Sequence, residues 1–481
     1  MALKKYFLLA CATLFALGVN AQTDEETSNE WGDIGIFEKK KVYPRTNVLP
    51  YAKDDDVERL AYYGSDYYLD LGGKWKYLVT KDADERPTEK NFNDHKHFSN
   101  KDWETVSIPE EWSKPWSGIQ GLTLKKPLPI PETHNAVVTY YKSVYVPKGW
   151  KNRDIFIHFE SAGSAYYVWA NGKMVGYAED SYTPSEFNLT NYVKPDDDND
   201  IIVQVFSTST GSLLEMTAPK YRLGITGEVY MYSKAEANVS DYTVIADYSP
   251  KTKNGNINVS ATIENKSKKG EFYVEALLWG PDGKEVAKYG QWVIFDKKNA
   301  IDIVFDREVL DVKPWSSETP DLYTLILRVR DKKLQIIETT GTRFGFRHLE
   351  MRNGKLQLNG NTIKLRGVVW TDYGKSYKER QNAFKMMRAN NINAVLTTYH
   401  TPQPVDFYEL ADEYGIYVVD EANLQPFSSL AKSIATDLDY SAAFVARVRN
   451  MYERDKNHPS VIAWSLGNSA DNGVCMENAY R

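Results

Sequence analysis

Val461-Ile462-Ala463-Trp464-Ser465-Leu466-Gly467-Asn468-Ser469-Ala470-Asp471-Asn472-Gly473 is the stretch whose reading decides the fold. Its apolar run, bounded by Pro459 and Gly467, reads as a buried parallel strand that ends in a loop. Upstream, from Leu356, strand and helix patterns alternate. Strands are expected over Ile363 to Trp370, Asn393 to Thr398 and Ile416 to Asp420. Between them, a helix is expected from Arg380 to Asn390, and another carries Phe407, Leu410, Ala411 and Tyr414 at 3–4 residue spacing. A third, from Ser441 to Lys456, presents Phe444, Val448 and Met451. Helices between apolar strands imply a parallel sheet. Four such strands are half of an eight-stranded barrel, whose chemistry sits at the strand C-termini. Half a barrel leaves two unpaired edges and an uncovered inner face. The chain is therefore expected to be a fragment of a longer protein, the alternative being that it needs a partner.

Ahead of this half-barrel the pattern is all β. From Tyr67 to Tyr77 apolar and polar residues alternate, and short strands separated by turn signals continue to about Lys234. Asn171-Gly172, set between Tyr166-Tyr167-Val168-Trp169 and Val175-Gly176-Tyr177, predicts a type I′ hairpin. This spacing argues for a β-sandwich. A second all-β unit runs from about 235 to 346, with strands over Ile257 to Ile263, Phe272 to Trp279, Ile301 to Phe305 and Leu322 to Val329. Short strands without cysteine pairs suit an immunoglobulin-like sandwich.

The chain has 481 residues, enough for about three domains. Its 33 tyrosines and 12 tryptophans are mostly expected in sheet cores, with a share left for sugar-stacking surface. A net charge of −6 excludes a basic footprint, so nucleic acid is not an expected partner. Met1-Ala2-Leu3-Lys4-Lys5, the apolar run Tyr6 to Val19 and Val19-Asn20-Ala21 read as a secretory signal peptide cleaved after Ala21. The run is too short for a membrane span. A lipoprotein signal at Leu8-Leu9-Ala10-Cys11 would leave an even shorter apolar core. With Cys11 removed, Cys475 stands alone and no intrachain disulfide can form. Export without disulfides fits a bacterial periplasm.

Several motifs resemble glycoside hydrolase family 2, β-galactosidase type. His458-Pro459-Ser460, the strand after it and Ser465-Leu466-Gly467-Asn468 are similar to that family's acid/base strand. Thr183-Pro184-Ser185-Glu186-Phe187-Asn188-Leu189-Thr190 resembles its jelly-roll signature. Pro314-Trp315-Ser316-Ser317-Glu318-Thr319-Pro320-Asp321-Leu322-Tyr323 and Gly345-Phe346-Arg347 resemble its middle domain and the exit into the catalytic one. The implied architecture is multidomain: a β jelly-roll sandwich, an immunoglobulin-like β-sandwich, then an incomplete (β/α)8 TIM barrel. The expected division is a signal peptide at 1–21, an N-terminal arm at 22–50, a jelly-roll sugar-binding-type domain at 51–234, an immunoglobulin-like sandwich at 235–346, and the first half of a TIM barrel at 347–481.

The resemblance implies a retaining glycosidase, which needs two carboxyls about 5–5.5 Å apart. In the family the nucleophile comes from a later barrel strand than those within residues 1–481, and the glutamate that follows the Asn is the general acid/base. Here Ser469 holds that acid/base position, and a hydroxyl is no proton donor of suitable pKa near neutrality. Asp471 is either a substitute acid or a solvated loop aspartate. Asp420-Glu421-Ala422-Asn423-Leu424 matches the end of the family's third strand, after which a Glu and a His join the acid/base Glu in ligating magnesium. Gln425, Phe427 and Ser469 replace all three, so no metal cofactor is expected.

The implied substrate-binding residues are Asn468, which contacts the sugar's 2-hydroxyl in the family, with His400, Asp372 and Asn423. His400 could equally be a structural histidine, and Asp372 a helix N-cap. Glu215 and Arg222 persist where the family's jelly-roll loop has lost its aspartates, and read as a scaffold ion pair or turn pair. Trp370, Tyr399, Trp464 and Phe427 form either an aromatic sugar pocket or packed core. Three functions stay open: an inactive β-galactosidase-like scaffold, the N-terminal part of a hydrolase with an unusual acid, and a non-catalytic carbohydrate-binding or interaction protein. The implied partner is a β-galactoside-type oligosaccharide; family enzymes are often oligomeric, which leaves oligomerisation open.

Overall fold

The computed structural model describes residues 29–93, 96–109, 135–215, 223–371, 375–399, 401–426 and 428–481. The expected signal peptide, Asp372, His400, Phe427 and Arg222 lie outside these residues.

The N-terminal sandwich packs a seven-stranded sheet on a four-stranded one. In order across the larger sheet run Glu38–Lys39, Lys173–Glu179, Ala165–Ala170, Asp197–Phe206, Val137–Val146, Gly73–Thr80 and Glu104–Ile108. The smaller sheet holds Ser185–Asn188, Asp154–Phe159, Val229–Lys234 and Tyr68–Asp70. Trp75, Tyr140, Val168, Val203, Ile157 and Phe187 meet in the core between them. The expected hairpin forms: Asn171 and Gly172 take φ of 51° and 74° between Ala165–Ala170 and Lys173–Glu179, as a type I′ turn requires.

Seven strands form the second sandwich, three in one sheet and four in the other. All four strands read from the sequence are present, and Ala237–Tyr248, Glu285–Asp296 and Ile336–Phe344 complete it. The last region opens with a small antiparallel sheet of Leu349–Arg352, Lys355–Leu358 and Asn361–Thr362. Four parallel strands then follow in sequence order: Gly367–Trp370, Ala394–Thr397, Tyr417–Glu421 and Val461–Ser465. The first is shorter than its apolar run suggested, because residues 363–366 lead out of the small sheet before pairing begins.

The helix Tyr377–Ala389 starts at a capping box between Ser376 and Glu379. Val405–Tyr414 ends at Gly415, whose left-handed φ of 63° suits a residue without Cβ. Two helices escaped the periodicity reading, Ser428–Thr436 and Val474–Tyr480. Both are short, seven to nine residues, where local pattern is weakest.

The units are sewn together by buried seams. Val48 and Leu49 of the arm are buried, and Thr340 Oγ1 donates to the Leu49 carbonyl at 2.9 Å. Lys234 at the end of the jelly roll is fully buried beside Glu338 of the second sandwich, 3.6 Å away. Trp31, Tyr167, Phe206 and Leu214 from the arm and jelly roll share one apolar cluster with Leu424, Phe444, Ala470 and Cys475 of the barrel region. That cluster places the jelly roll against the loops at the strand C-termini.

Candidate active site

Side chains alternate across a strand with period 2, and this sorts the polar residues at the ends of the four parallel strands. On the third strand Asp420 faces the helices. Its Oδ1 accepts from the Tyr408 hydroxyl at 2.6 Å, and burial beside Asp455 pushes its carboxyl well above the usual range. Glu421, the next residue, faces the mouth of the sheet. Its carboxylate accepts from Ser465 Oγ at 3.0 Å on the fourth strand and from Gln425 Nε2 at 3.1 Å. Burial raises the Glu421 pKa, while hydrogen bonds from Thr398, Ser465 and Gln425 act in the opposite direction.

Asn468 spans the mouth. Its Nδ2 donates to Thr398 Oγ1 at 2.8 Å, and its backbone N–H donates to the Leu424 carbonyl at 2.9 Å. The preceding Gly467 has φ of +146°, and a Cβ there would lie 2.5 Å from the Leu424 oxygen. Only glycine lets these two loops touch. Ser469 follows in left-handed conformation, φ 54°, exposed, with its hydroxyl donating to Asn468 Oδ1 at 3.1 Å. Asp471 is also exposed and left-handed; its carboxylate accepts from the Asn472 N–H at 2.7 Å. It is engaged in its own loop.

Asn423 points elsewhere. It is buried, and its side-chain amide donates to Asp180 Oδ1 at 2.8 Å and to Glu215 Oε2, both in the jelly roll. Arg447, from the helix Ser441–Asp455, closes this network. It donates to Glu215 at 3.0 Å, to the Asn423 carbonyl at 2.9 Å and to the Gly211 carbonyl at 3.2 Å. Burial works against the Arg447 charge, but Glu215 and Asp180 raise its pKa on balance. The Gln425 N–H donates to the Leu214 carbonyl. Asn423 thus fastens the jelly roll to the barrel, and both of its amide hydrogens are used there.

The aromatic residues divide likewise. Trp370 lies in the helix layer, 5.8 Å from Phe384 and 5.2 Å from Phe407 between ring centroids, with Nε1 donating to Gln403 at 3.1 Å. Trp464 packs edge-to-face against Tyr452 of the preceding helix, Ser441–Asp455, at 5.3 Å. Trp370 is core on the outer, helix-facing side of the sheet, and the half-buried Trp464 packs against the same cluster. Tyr399 is half-buried in left-handed conformation, φ 57°.

The magnesium that the family resemblance implies does not fit the residues present. The Gln425 amide donates to Glu421, and the Ser469 hydroxyl is exposed and turned onto Asn468. Mg²⁺ requires hard oxygen donors, usually with carboxylate charge. Among the described residues no three His, Cys, Asp or Glu side chains group as metal ligands.

Sequence reasoning singled out Asn468, Ser469, Glu421 and Gln425, which the structure brings to one mouth. It missed Thr398 and Ser465 as their partners, and Asp180 and Arg447 as those of Asn423. A signal for Arg447 existed: it lies three residues after Phe444 on the apolar face of its helix, where a charge is buried only if paired.

Three family models match successive parts of the chain. The Glycosyl hydrolases family 2 sugar binding domain matches residues 69–243, the family's central model residues 237–347, and its TIM barrel domain residues 349–481. A beta-galactosidase of Priestia megaterium is 31% identical over 475 residues, 92% of this chain and 45% of the relative. That of Clostridium acetobutylicum is 32% identical over 463 residues, 90% of this chain and 50% of the relative. Among solved structures, Parabacteroides merdae beta-glucuronidase superposes with a TM-score of 0.71 at 18% identity, over 90% of this chain and 53% of that one. Bacteroides uniformis beta-glucuronidase 2 gives 0.69 at 19% identity, over 82% of this chain and 46% of that one. The chain spans about half the length of the curated relatives it matches.

Proposed function

The chain belongs to glycosyl hydrolase family 2, and on that premise we propose that it is a β-galactosidase-like scaffold that does not hydrolyse glycosides by the family's acid/base route as this chain stands. The observation that carries the reading is at Ser469. The position after Asn468 presents a hydroxyl that donates to Asn468 Oδ1, with no carboxyl held there. A hydroxyl near neutral pH cannot protonate a departing sugar oxygen. Glu421, the carboxyl that does sit in the mouth, is 3% exposed and accepts from Ser465 and Gln425, which suits an architectural role. Asp471 is spent on its own loop.

A second reading, a non-catalytic carbohydrate-binding protein, is favoured by Asn468. Its amide and the Thr398 hydroxyl form a polar pair at the mouth that a sugar hydroxyl could join. The ligand would be a β-galactoside-type oligosaccharide, and the signal-like pattern of residues 1–21 supports a site of action in the periplasm.

The experiment is to assay the chain on aryl β-galactoside, glucuronide and mannoside substrates, whose activated leaving groups need little acid assistance. An unactivated alkyl β-galactoside run beside them should not be turned over, and Asp471→Ala should change nothing in either assay. Turnover that Asp471→Ala abolishes overturns the reading. Titration with β-galactosyl oligosaccharides tests the second reading: saturable binding lost in Asn468→Ala supports it, and no saturation removes it.

A further inference from the structure

A cavity of about 60 Å3 lies where the N-terminal arm, the jelly roll and the barrel meet, away from the strand mouths. Arg45 of the arm, His158, Thr183 and Glu186 of the jelly roll, and Asn450 and Arg454 of the helix Ser441–Asp455 line it. Thr183 Oγ1, Asn450 Oδ1 and Arg454 Nη1 are buried without a hydrogen-bond partner in the protein. The three residues are 4%, 2% and 8% exposed. Buried polar atoms in native proteins are satisfied by protein or by ordered water. Three such atoms, on residues from two different domains that line one cavity, call for a shared partner.

Charge and size decide what that partner is. Arg45 meets Glu186 at 2.9 Å, and the His158 ring lies between Glu160 and Glu186 at 2.9 and 3.0 Å. Arg454 pairs with Asp455 at 2.7 Å and lies 3.7 Å from Glu160. Every cation on the wall already has a carboxylate, so an added ion of either sign would be left uncompensated in a buried site. Pockets for small organic ligands run to roughly 300–1,000 Å3, which excludes a sugar ring. A water needs only roughly 10–15 Å3 of such space and about three polar partners. We propose that this cavity is a specific water-binding site, in which bound water bridges Thr183 of the jelly roll to Asn450 and Arg454 of the barrel. At the outer joint between these two domains bound water then adds to the direct contacts that Glu160 makes with Arg454 and with the Val405 N–H.

The test is a crystal structure of the full chain at better than about 2 Å resolution, together with Thr183→Val and Thr183→Ser. Ordered water within hydrogen-bond distance of at least two of the three atoms is expected. An ion there, or side chains closed over the space, overturns the proposal. Valine keeps the threonine shape and removes the hydroxyl, so Thr183→Val should lower the thermal midpoint by about 2 °C relative to Thr183→Ser. A midpoint equal to or above that of the serine variant would mean the cavity prefers an apolar wall, and the proposal fails.

Discussion

The Arg447 guanidinium meets the Glu215 carboxylate at 3.0 Å in the seam between barrel and jelly roll, both side chains being almost wholly buried. Removing one partner of a buried ion pair strands the other charge, at a cost of about 3–5 kcal/mol. Arg447→Met should therefore destabilise the fold strongly, read as a lower denaturation midpoint in urea. Because the two side chains share one network, the Glu215→Gln and Arg447→Met double variant should lose less than the sum of the single variants. Strict additivity would show that they are not coupled.

Gly467 allows the acid/base-strand loop to reach Leu424. Gly467→Ala places a Cβ 2.5 Å from a carbonyl oxygen at φ +146°, a conformation L-residues avoid. A loss of about 1–3 kcal/mol is expected, with protease sensitivity rising first in residues 465–473. An unchanged midpoint would mean that the two loops separate freely.

Glu179 is buried in the jelly roll, with the Tyr177 hydroxyl donating to it at 2.6 Å and Thr210 at 3.0 Å. Burial pushes its pKa up to about 8, despite those hydrogen bonds and nearby Arg447. The folded chain thus keeps a proton that the unfolded chain has released above its ordinary value of 4.5. The stability contribution falls as pH rises from about 4.5 to 8. Glu179→Gln, which mimics the protonated form, should flatten that decline in denaturation curves between pH 5 and about 8.

His158 titrates in a neighbouring window. Burial works against the charged ring, but hydrogen bonds to Glu160 and Glu186 hold its pKa at about 9. Its contribution is full below 6.5 and is lost as pH rises through about 9. His158→Gln should be less stable than the native chain at pH 6, and the difference should shrink by pH 9.5. Glu186, drawn down to about 2 chiefly by Arg45 and His158 against its burial, gives the opposite limb. Its contribution is lost as pH falls from 4.5 through about 2.

Much of this molecule was legible in its local pattern. The Asn171-Gly172 hairpin follows from turn chemistry, and the four parallel strands from short apolar runs separated by amphipathic helices. The identity of Ser469, Gln425 and Asn468 at the strand ends was likewise readable before any coordinates. Where strands began was less so, as residues 363–366 show, because an apolar run has no internal mark of where its pairing starts.

What the sequence determined by itself was element type, domain order and the chemistry available at the strand ends, since each depends on residues within a few positions of one another. The tertiary structure alone decided the use of those groups. Asn423 is bound to Asp180 and Glu215, 243 and 208 residues away, while Asn468 turns to Thr398, 70 residues away. Trp370 and Trp464 join the helix-side cluster, the second only half-buried, because their strands present them to the helices, while Glu421, one residue beyond Asp420, faces the mouth. A period of two fixes that neighbours on a strand diverge, but which face meets jelly roll, helix or open mouth is settled only when distant elements pack.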